Sequence, residues 1–179
     1  NYGVIEAAIS FSPTRPVFDP TADSGFSEDF STGLANPYLV VKTEKNILSS
    51  INVNANGFAE VTFTPWLKFR QNVGYSYSYY ERSQYYNRYT GAGQNPTNGY
   101  AVKSDSNYEG FTEESLLSFN KTFGIHSFNA VAGITYQIAN WRNKGMNAKT
   151  FATDDTEDND MSAATGDKEI SSGRGKSQL

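Results

Sequence analysis

The chain has 179 residues, a formal net charge of −4 at pH 7 and no cysteine. A chain without cysteine forms no disulfide bonds or thiolate metal sites, and its single histidine leaves few ligands for zinc. The negative charge argues against a nucleic-acid partner, because phosphate binding requires a basic surface. No apolar run approaches the roughly 18 residues of a membrane-spanning helix.

Residues 1–46 are predicted to form a long loop. The segment from Val4 to Phe11 can form one or two helical turns, but three prolines in the next ten residues prevent the helix from continuing. The stretch from Asp23 to Asn36 is rich in Ser, Gly and acidic residues, which is typical of a surface loop.

Residues 47–83 are predicted to form a long β-hairpin. From Ile51 to Phe63, apolar residues occupy the odd positions and polar residues the even ones, with Phe58 as the exception. The alternation returns after the break at Thr64-Pro65-Trp66 and continues to Tyr79. Successive side chains of a strand point to opposite faces, so the pattern predicts one apolar and one polar face. Such length is typical of outer-membrane barrels, whose alternating segments have about 10 residues, against about 5 to 6 in soluble strands.

Residues 84–107 are predicted to form a loop, because a Tyr-rich stretch leads into several Gly and Asn turn formers. The odd-numbered tyrosines of the preceding strand are expected to face lipid as an aromatic girdle. Tyr85, Tyr86 and Tyr89 lie beyond that strand. We expect these three to bind a ligand by stacking on sugar rings, or to pack the loop against a partner.

Residues 108–142 are predicted to form a second hairpin, followed by a loop at 143–179. The returning strand alternates from Phe128 to Ile138, whereas the outgoing strand is less regular and suggests a bulge near Leu116-Leu117. The lone His126 is expected to be a solvated turn residue, since it has no nearby partner for a catalytic triad.

Two groups of carboxylates are candidate sites of chemistry. The run from Asp154 to Asp160 offers alternate oxygens to Ca²⁺, but the glycine and final glutamate of an EF-hand are missing, so a solvated loop is the alternative reading. Glu113 and Glu114 are neighbours in a strand and point to opposite faces, so they cannot flank one glycosidic bond. We therefore predict no catalytic, cofactor-binding or metal-binding residues, and a protein that is not an enzyme.

The order of short turns and long connections indicates the fold class. Both hairpins close with short turns, and the segments between and after them are long, as in outer-membrane barrels with short periplasmic turns and long extracellular loops. We predict an all-β chain, an antiparallel meander of long hairpins that forms a segment of a transmembrane outer-membrane β-barrel. The runner-up is a soluble secreted β-sandwich that binds carbohydrate.

Several strings in the chain resemble the barrel of SusC/RagA-like TonB-dependent outer-membrane transporters of Bacteroidota. The resemblance rests on the order and spacing of these strings: Ser12 to Asp19, Asn36-Pro37, Asn56 to Val61, Pro65 to Arg70, Asn120 to Gly124, His126 to Asn129, Ala132-Gly133 and Ser177 to Leu179. It implies that the chain is an internal fragment of the barrel, located in the cell outer membrane.

The resemblance also implies a function and a set of partners. Members of the family import oligosaccharides, glycans or peptides, usually beneath a SusD-like surface lipoprotein, with energy supplied through TonB. The chain is accordingly expected to form barrel wall and extracellular loops in contact with outer-membrane lipids. Its link to the TonB complex would run through a plug region that these residues do not include.

Overall fold

The computed structural model describes residues 4–29, 35–94 and 96–179. Two short helices, α1 (Val4–Ser10) and α2 (Pro37–Thr43), precede the strands. The remaining elements are five strands and two single-turn 3₁₀ helices: β1 (Lys45–Thr64), β2 (Leu67–Tyr86), a 3₁₀ turn at Gly91–Gly93, β3 (Tyr100–Phe123), β4 (His126–Lys149), a 3₁₀ turn at Met161–Ala163 and β5 (Lys168–Gln178). Within the described ranges, no helix is long and apolar enough to cross a membrane.

The five strands form one antiparallel sheet in the order β1-β2-β3-β4-β5. The predicted all-β meander of long hairpins is therefore confirmed. Both hairpins are longer than the predicted 47–83 and 108–142, and they take up much of the predicted loop at 84–107. Side-chain alternation marks only the part of a strand with one apolar face, whereas backbone pairing continues where both faces are polar.

A fifth strand corrects the prediction of a loop over the whole of 143–179. Lys168–Gln178 pairs with β4, where Gln137 and Leu179 exchange two backbone hydrogen bonds of 3.1 and 2.9 Å. Its even positions are mostly Lys, Ser, Arg and Gln and its odd positions Glu, Ser and Gly, so the sequence carries no alternation of apolar and polar residues that could have indicated it.

The helix α2 corrects the prediction of an irregular segment at 1–46. Asn36 caps this helix by accepting a 3.0 Å hydrogen bond from the backbone N–H of Tyr38, and Pro37 occupies the first turn. An asparagine cap followed by proline is a recognised start signal for helices, and it was present in the sequence. The helical turns expected from Val4 onward are found as α1.

The chain divides into two compact units. The first, here called the loop unit, comprises Asn1–Ser49, Glu81–Ser104 and Lys144–Ser171; the second, the hairpin unit, comprises Ser50–Tyr80, Asp105–Asn143 and Ser172–Leu179. The loop unit has a small core that joins the ends of strands to the long connection after β4. Its buried residues are Tyr85, Ala101, Ala148, Phe151 and Ala164.

The hairpin unit has one apolar and one polar face. The apolar face uses the odd positions of β1 to β3 and the even positions of β4, because Thr122 bonds Ser127 and Leu116 lies over Gly133. Many large apolar side chains on it are exposed: Ile51, Val53, Val61, Phe63, Val73, Tyr75, Phe111, Leu117, Phe123, Phe128 and Ile134. A face of this extent requires an apolar environment or a partner.

Three neighbouring polar side chains lie within the apolar face and bond to one another. Gln71 donates from Nε2 to Glu113 Oε1 at 2.8 Å and accepts from the hydroxyl of Ser115 at 2.7 Å. Each group thus finds a partner inside the sheet, which lowers the cost of holding polar atoms among apolar neighbours. Glu114 points to the other face, where it accepts from Asn72, as the alternation predicted for this carboxylate pair.

The predicted bulge near Leu116-Leu117 is wrong. Gly74 faces Thr112, and Trp66 accepts a backbone hydrogen bond from Asn120, so the two strands advance by the same number of residues across this region. No residue is inserted because the two leucines need not share a face: Leu116 covers Gly133 on the polar side, and Leu117 joins the apolar side.

Gly93 offers a test of how tightly the loop after β2 is closed. A β-carbon at Gly93 would collide with the backbone carbonyl oxygens of Tyr86 and Asn87, which cannot rotate away. We expect Gly93→Ala to destabilise the protein by about 1–3 kcal/mol, measured as a lower midpoint of thermal unfolding. At Gly57 a β-carbon meets nothing within 4 Å, so Gly57→Ala is the matched control and should leave the midpoint unchanged or slightly raised. Equal midpoints for the two variants would contradict this account.

Candidate functional site

Within the loop unit, Asp154 anchors the long connection after β4 to the end of β2 and the loop that follows it. Its Oδ2 accepts a 2.6 Å hydrogen bond from Arg88 Nε, and its Oδ1 accepts one of 2.6 Å from the hydroxyl of Tyr85. Arg88 also donates from a terminal nitrogen to the carbonyl of Phe151 at 3.3 Å. One carboxylate thus holds the loop that follows β2 against the loop that follows β4.

A second carboxylate, Asp158, draws three strands together at the same loop. Its side chain is 1% exposed and lies 2.6 Å from Lys45 Nζ of β1 and 3.3 Å from Lys103 Nζ of β3, and Ser83 of β2 donates a further hydrogen bond. Burial would raise the pKa of Asp158, but the hydrogen bonds from Lys45 and Ser83 outweigh that effect, and the pKa lies below its ordinary value. We call these four residues, Asp158, Lys45, Ser83 and Lys103, the loop latch.

The loop latch corrects the reading of Asp154 to Asp160 as a freely solvated loop. Three carboxylates of this run form ion pairs, Asp154 with Arg88 and both Glu157 and Asp158 with Lys45. Asp155 and Asp160 remain exposed. Asp160 caps the 3₁₀ turn by accepting from Ser162 N at 3.0 Å. Across 4–29, 35–94 and 96–179, no three His, Cys, Asp or Glu side chains come together as a metal site, and the calcium reading gains no support.

Among the three tyrosines predicted to bind a ligand, Tyr85 is a core residue. It is 1% exposed, its ring meets that of Phe151 edge to face at 5.6 Å, and its hydroxyl is bonded to Asp154. These contacts leave no face of the ring for a sugar. The cause is the position of Tyr85 as the last residue but one of β2, where the strand still alternates and its side chain points into the core of the loop unit.

The other two tyrosines remain partly accessible. Tyr86 stacks on Tyr100 with ring centroids 6.2 Å apart. Tyr89 lines a cavity of about 670 Å³. Ligand binding by these two residues stays a prediction.

The cavity beside Tyr89, here called the loop cavity, has charged and hydroxyl-bearing walls. Its lining is Arg15, Asp19, Thr21, Ala22, Asp23, Glu28, Arg88, Tyr89 and Asn98. Asp19 accepts hydrogen bonds from the hydroxyl and backbone N–H of Thr21 at 2.6 and 2.9 Å, and these bonds lower the pKa of its carboxyl. The lining therefore offers both hydrogen-bond donors and ionised acceptors.

Sequence reasoning identified only Tyr89 in the loop cavity. Arg88 and Asn98 lie near Tyr89 in the chain, but the rest of the lining comes from residues 15–28, and no local sequence pattern indicates that this distant segment lies close to Tyr89. One signal was available: the turn formers Asn98-Gly99 both adopt positive φ angles, 49° and 91°, and mark the tight turn that carries Asn98 to the wall.

A second candidate site lies on the polar face of the hairpin unit. Arg70 places its guanidinium 4.1 Å from the centroid of the Phe58 ring. A groove of about 550 Å³ surrounds them, lined by Asn54, Asn56, Asn72, Glu114 and Thr135 among others. Phe58, the exception to the alternation, is therefore on the polar face, as its even position predicted. His126 lies exposed at the first residue of β4, as also expected.

These features define a class of protein: an antiparallel sheet of long strands with an exposed apolar face, a polar face and structured connecting loops. No protein-family model matches the chain. A curated relative, TonB-dependent receptor P3 of Formosa agariphila, is 24% identical over 153 residues, which is 85% of this chain and 15% of that protein. The relative confirms the predicted resemblance to TonB-dependent receptors, and the chain spans only a small part of its length.

One solved structure among those that match is described as the structure of the RagAB peptide transporter. It has a TM-score of 0.48 and 14% sequence identity, and the match covers 79% of this chain and 16% of that one.

Asp158 provides a test of the loop latch. We expect Asp158→Asn to destabilise the protein by about 1–3 kcal/mol, because both lysines lose a charged partner, and to increase hydrogen exchange in residues 151–164. Asp155→Asn removes an exposed carboxylate of the same loop and is the matched control. If exchange in this segment is the same in both variants and the wild type, the latch does not hold the loop.

Proposed function

We propose that this chain forms part of the wall and extracellular loops of a TonB-dependent importer in the outer membrane. The apolar face of the hairpin unit meets lipid, and the polar face lines a hydrated interior. The hydrogen bonds between strands pair the backbone N–H and C=O groups, to which hydrocarbon offers no hydrogen-bond partner. The chain carries no catalytic step in this proposal.

The exposed apolar face is the observation that carries the proposal. On β4, Ile134 is 77% exposed and shares its face with Phe128, Ala130 and Ala132. A soluble β-sandwich, the runner-up, would cover this face with a second sheet. Nothing in the described residues covers it, so the observation favours lipid.

The cargo is an oligosaccharide, a glycan or a peptide that is captured on the loop side. Support comes from the loop cavity, whose carboxylates, arginines and hydroxyls match the donors and acceptors of such ligands. Tyr89 adds an aromatic wall, which suits the apolar faces of sugar rings and peptide side chains.

The remaining partners follow from the resemblance to TonB-dependent receptors. A SusD-like surface lipoprotein would cover the loop side, and the TonB complex would act through a plug region. The relative's name supports the link to TonB at the level of the protein class.

Two residues of β4 test which face meets lipid. Ile134 and Val131 are 77% and 71% exposed on opposite faces of one strand. We expect Ile134→Arg to destabilise the membrane-inserted protein by about 2–4 kcal/mol, because the charge enters hydrocarbon. Val131→Arg is the matched control and should be tolerated in a hydrated interior. The measurement is folding into lipid vesicles, followed by the heat-dependent gel shift of folded barrels.

Labelling gives an independent readout of the same proposal. The chain has no cysteine, so single cysteines at 131 and 134 can be introduced into it. A water-soluble thiol reagent should modify position 131 and spare position 134 in vesicles. Modification of both positions, together with solubility without detergent, would instead support the β-sandwich.

Tyr89 tests the loop cavity as the capture site. We expect Tyr89→Ala in the intact transporter to reduce ligand uptake several-fold, since a well-oriented aromatic contact is worth about 0.5–1.5 kcal/mol beyond the area it buries. Tyr75→Ala, which alters an exposed tyrosine on the apolar face, is the control and should leave uptake unchanged. Unchanged uptake in Tyr89→Ala, with normal amounts of protein in the membrane, would exclude this role.

A further inference from the structure

A cluster of basic side chains lies where the apolar face of the hairpin unit ends. Arg142 of β4 and Arg174 and Lys176 of β5 line a cavity of about 460 Å³ together with Asn107, Glu109 and Asn140. Three cations thus face a single carboxylate. All three basic side chains are exposed. We call them the basic cluster.

Strand register places the basic cluster on the apolar face rather than on the polar one. Because Gln137 pairs with Leu179, Arg142 stands directly opposite Arg174, and Asn140 opposite Lys176. These positions of β4 are even, as are those of Phe128 and Ile134. The indole of Trp141 lies across Gly175 on the other face, where a β-carbon would collide with its ring, and this contact fixes the same register.

The height of the basic cluster matches the edge of a hydrocarbon layer. The apolar side chains of β4 run from Phe128 to Ile138, which is about 34 Å along a strand. With the strand tilt of membrane barrels, this length corresponds to an apolar band about 25 Å tall, the usual value. Asn140 and Arg142 follow immediately, at the level where headgroups begin.

The arrangement leaves positive charge without an internal partner. Like charges directly opposite each other destabilise a pair of strands, and Arg142 faces Arg174. Within the described parts of the chain, none of the three cations forms an ion pair, and Glu109 is not within ion-pair distance of them. An external anion would relieve this repulsion.

We propose that the basic cluster binds the anionic phosphate headgroup of a membrane lipid whose acyl chains lie on the apolar face. Two guanidinium groups suit the oxygens of a phosphate, since each can donate two parallel hydrogen bonds. Lys176 adds a third charge, and the amide of Asn140 a further donor. The inference rests on the proposed membrane location, since a lipid reaches this face only in a bilayer.

Spin-labelled lipids test the proposal on the intact protein in phosphatidylcholine vesicles. The probes are spin-labelled phosphatidic acid and spin-labelled phosphatidylcholine, and the measurement is the fraction of each whose motion the protein restricts. We expect phosphatidic acid to be preferred, and the double variant Arg142→Gln/Arg174→Gln to lose about fivefold in this preference for each cation removed. The control Lys68→Gln/Arg82→Gln removes two exposed charges from even positions of β2 and should keep the preference.

The outcomes separate this inference from the membrane location. If the wild type restricts both lipids equally, or if the double variant keeps the preference, the basic cluster does not bind lipid phosphate. If millimolar inorganic phosphate abolishes the preference, the cluster takes the free anion, and the lipid proposal is overturned. If neither lipid is restricted, the proposed function itself fails. Equal restriction of phosphatidylcholine by variant and wild type shows that the variant has inserted.

Discussion

The backbone hydrogen bonds between neighbouring strands are the interaction on which the rest of the structure depends. Each strand of the meander pairs with the next one in sequence, so an inner strand has a hydrogen-bonding neighbour on each side. Because these bonds do not depend on side chains, one face of the sheet can be apolar and exposed. The pairing also explains how three polar groups, Gln71, Glu113 and Ser115, are accommodated on that face: they bond to one another across two paired strands.

The parts of the fold that the sequence predicts are those in which one face of the strand is apolar and the other polar. Ile51 to Phe63 and Phe128 to Ile138 alternate, with Phe58 and Val131 as the exceptions, and both lie in strands at the expected positions. β5 could not be predicted, because its side chains are polar on both faces and only backbone pairing defines it. The helix α2 could have been found from Asn36-Pro37, since a cap followed by proline is a local signal.

The candidate site was harder to predict than the sheet, because it depends on contacts between distant segments. Tyr85 and Tyr89 lie in one Tyr-rich string, yet the first fills the core of the loop unit and the second lines the loop cavity. Their difference comes from Asp154 and Phe151, which belong to another connection. The acidic run likewise gave no sign that Asp158 would be enclosed by lysines from two strands.

The loop latch has a consequence for the order in which the protein folds. Lys45 and Asp158 are separated by 113 positions in the chain, and closing so long a loop is entropically unfavourable unless the strands between them are already paired. The hairpins, whose partners are close in sequence, can form first. The latch then closes last, and a growing chain that has not yet reached Asp158 has its strands but not its finished loop surface.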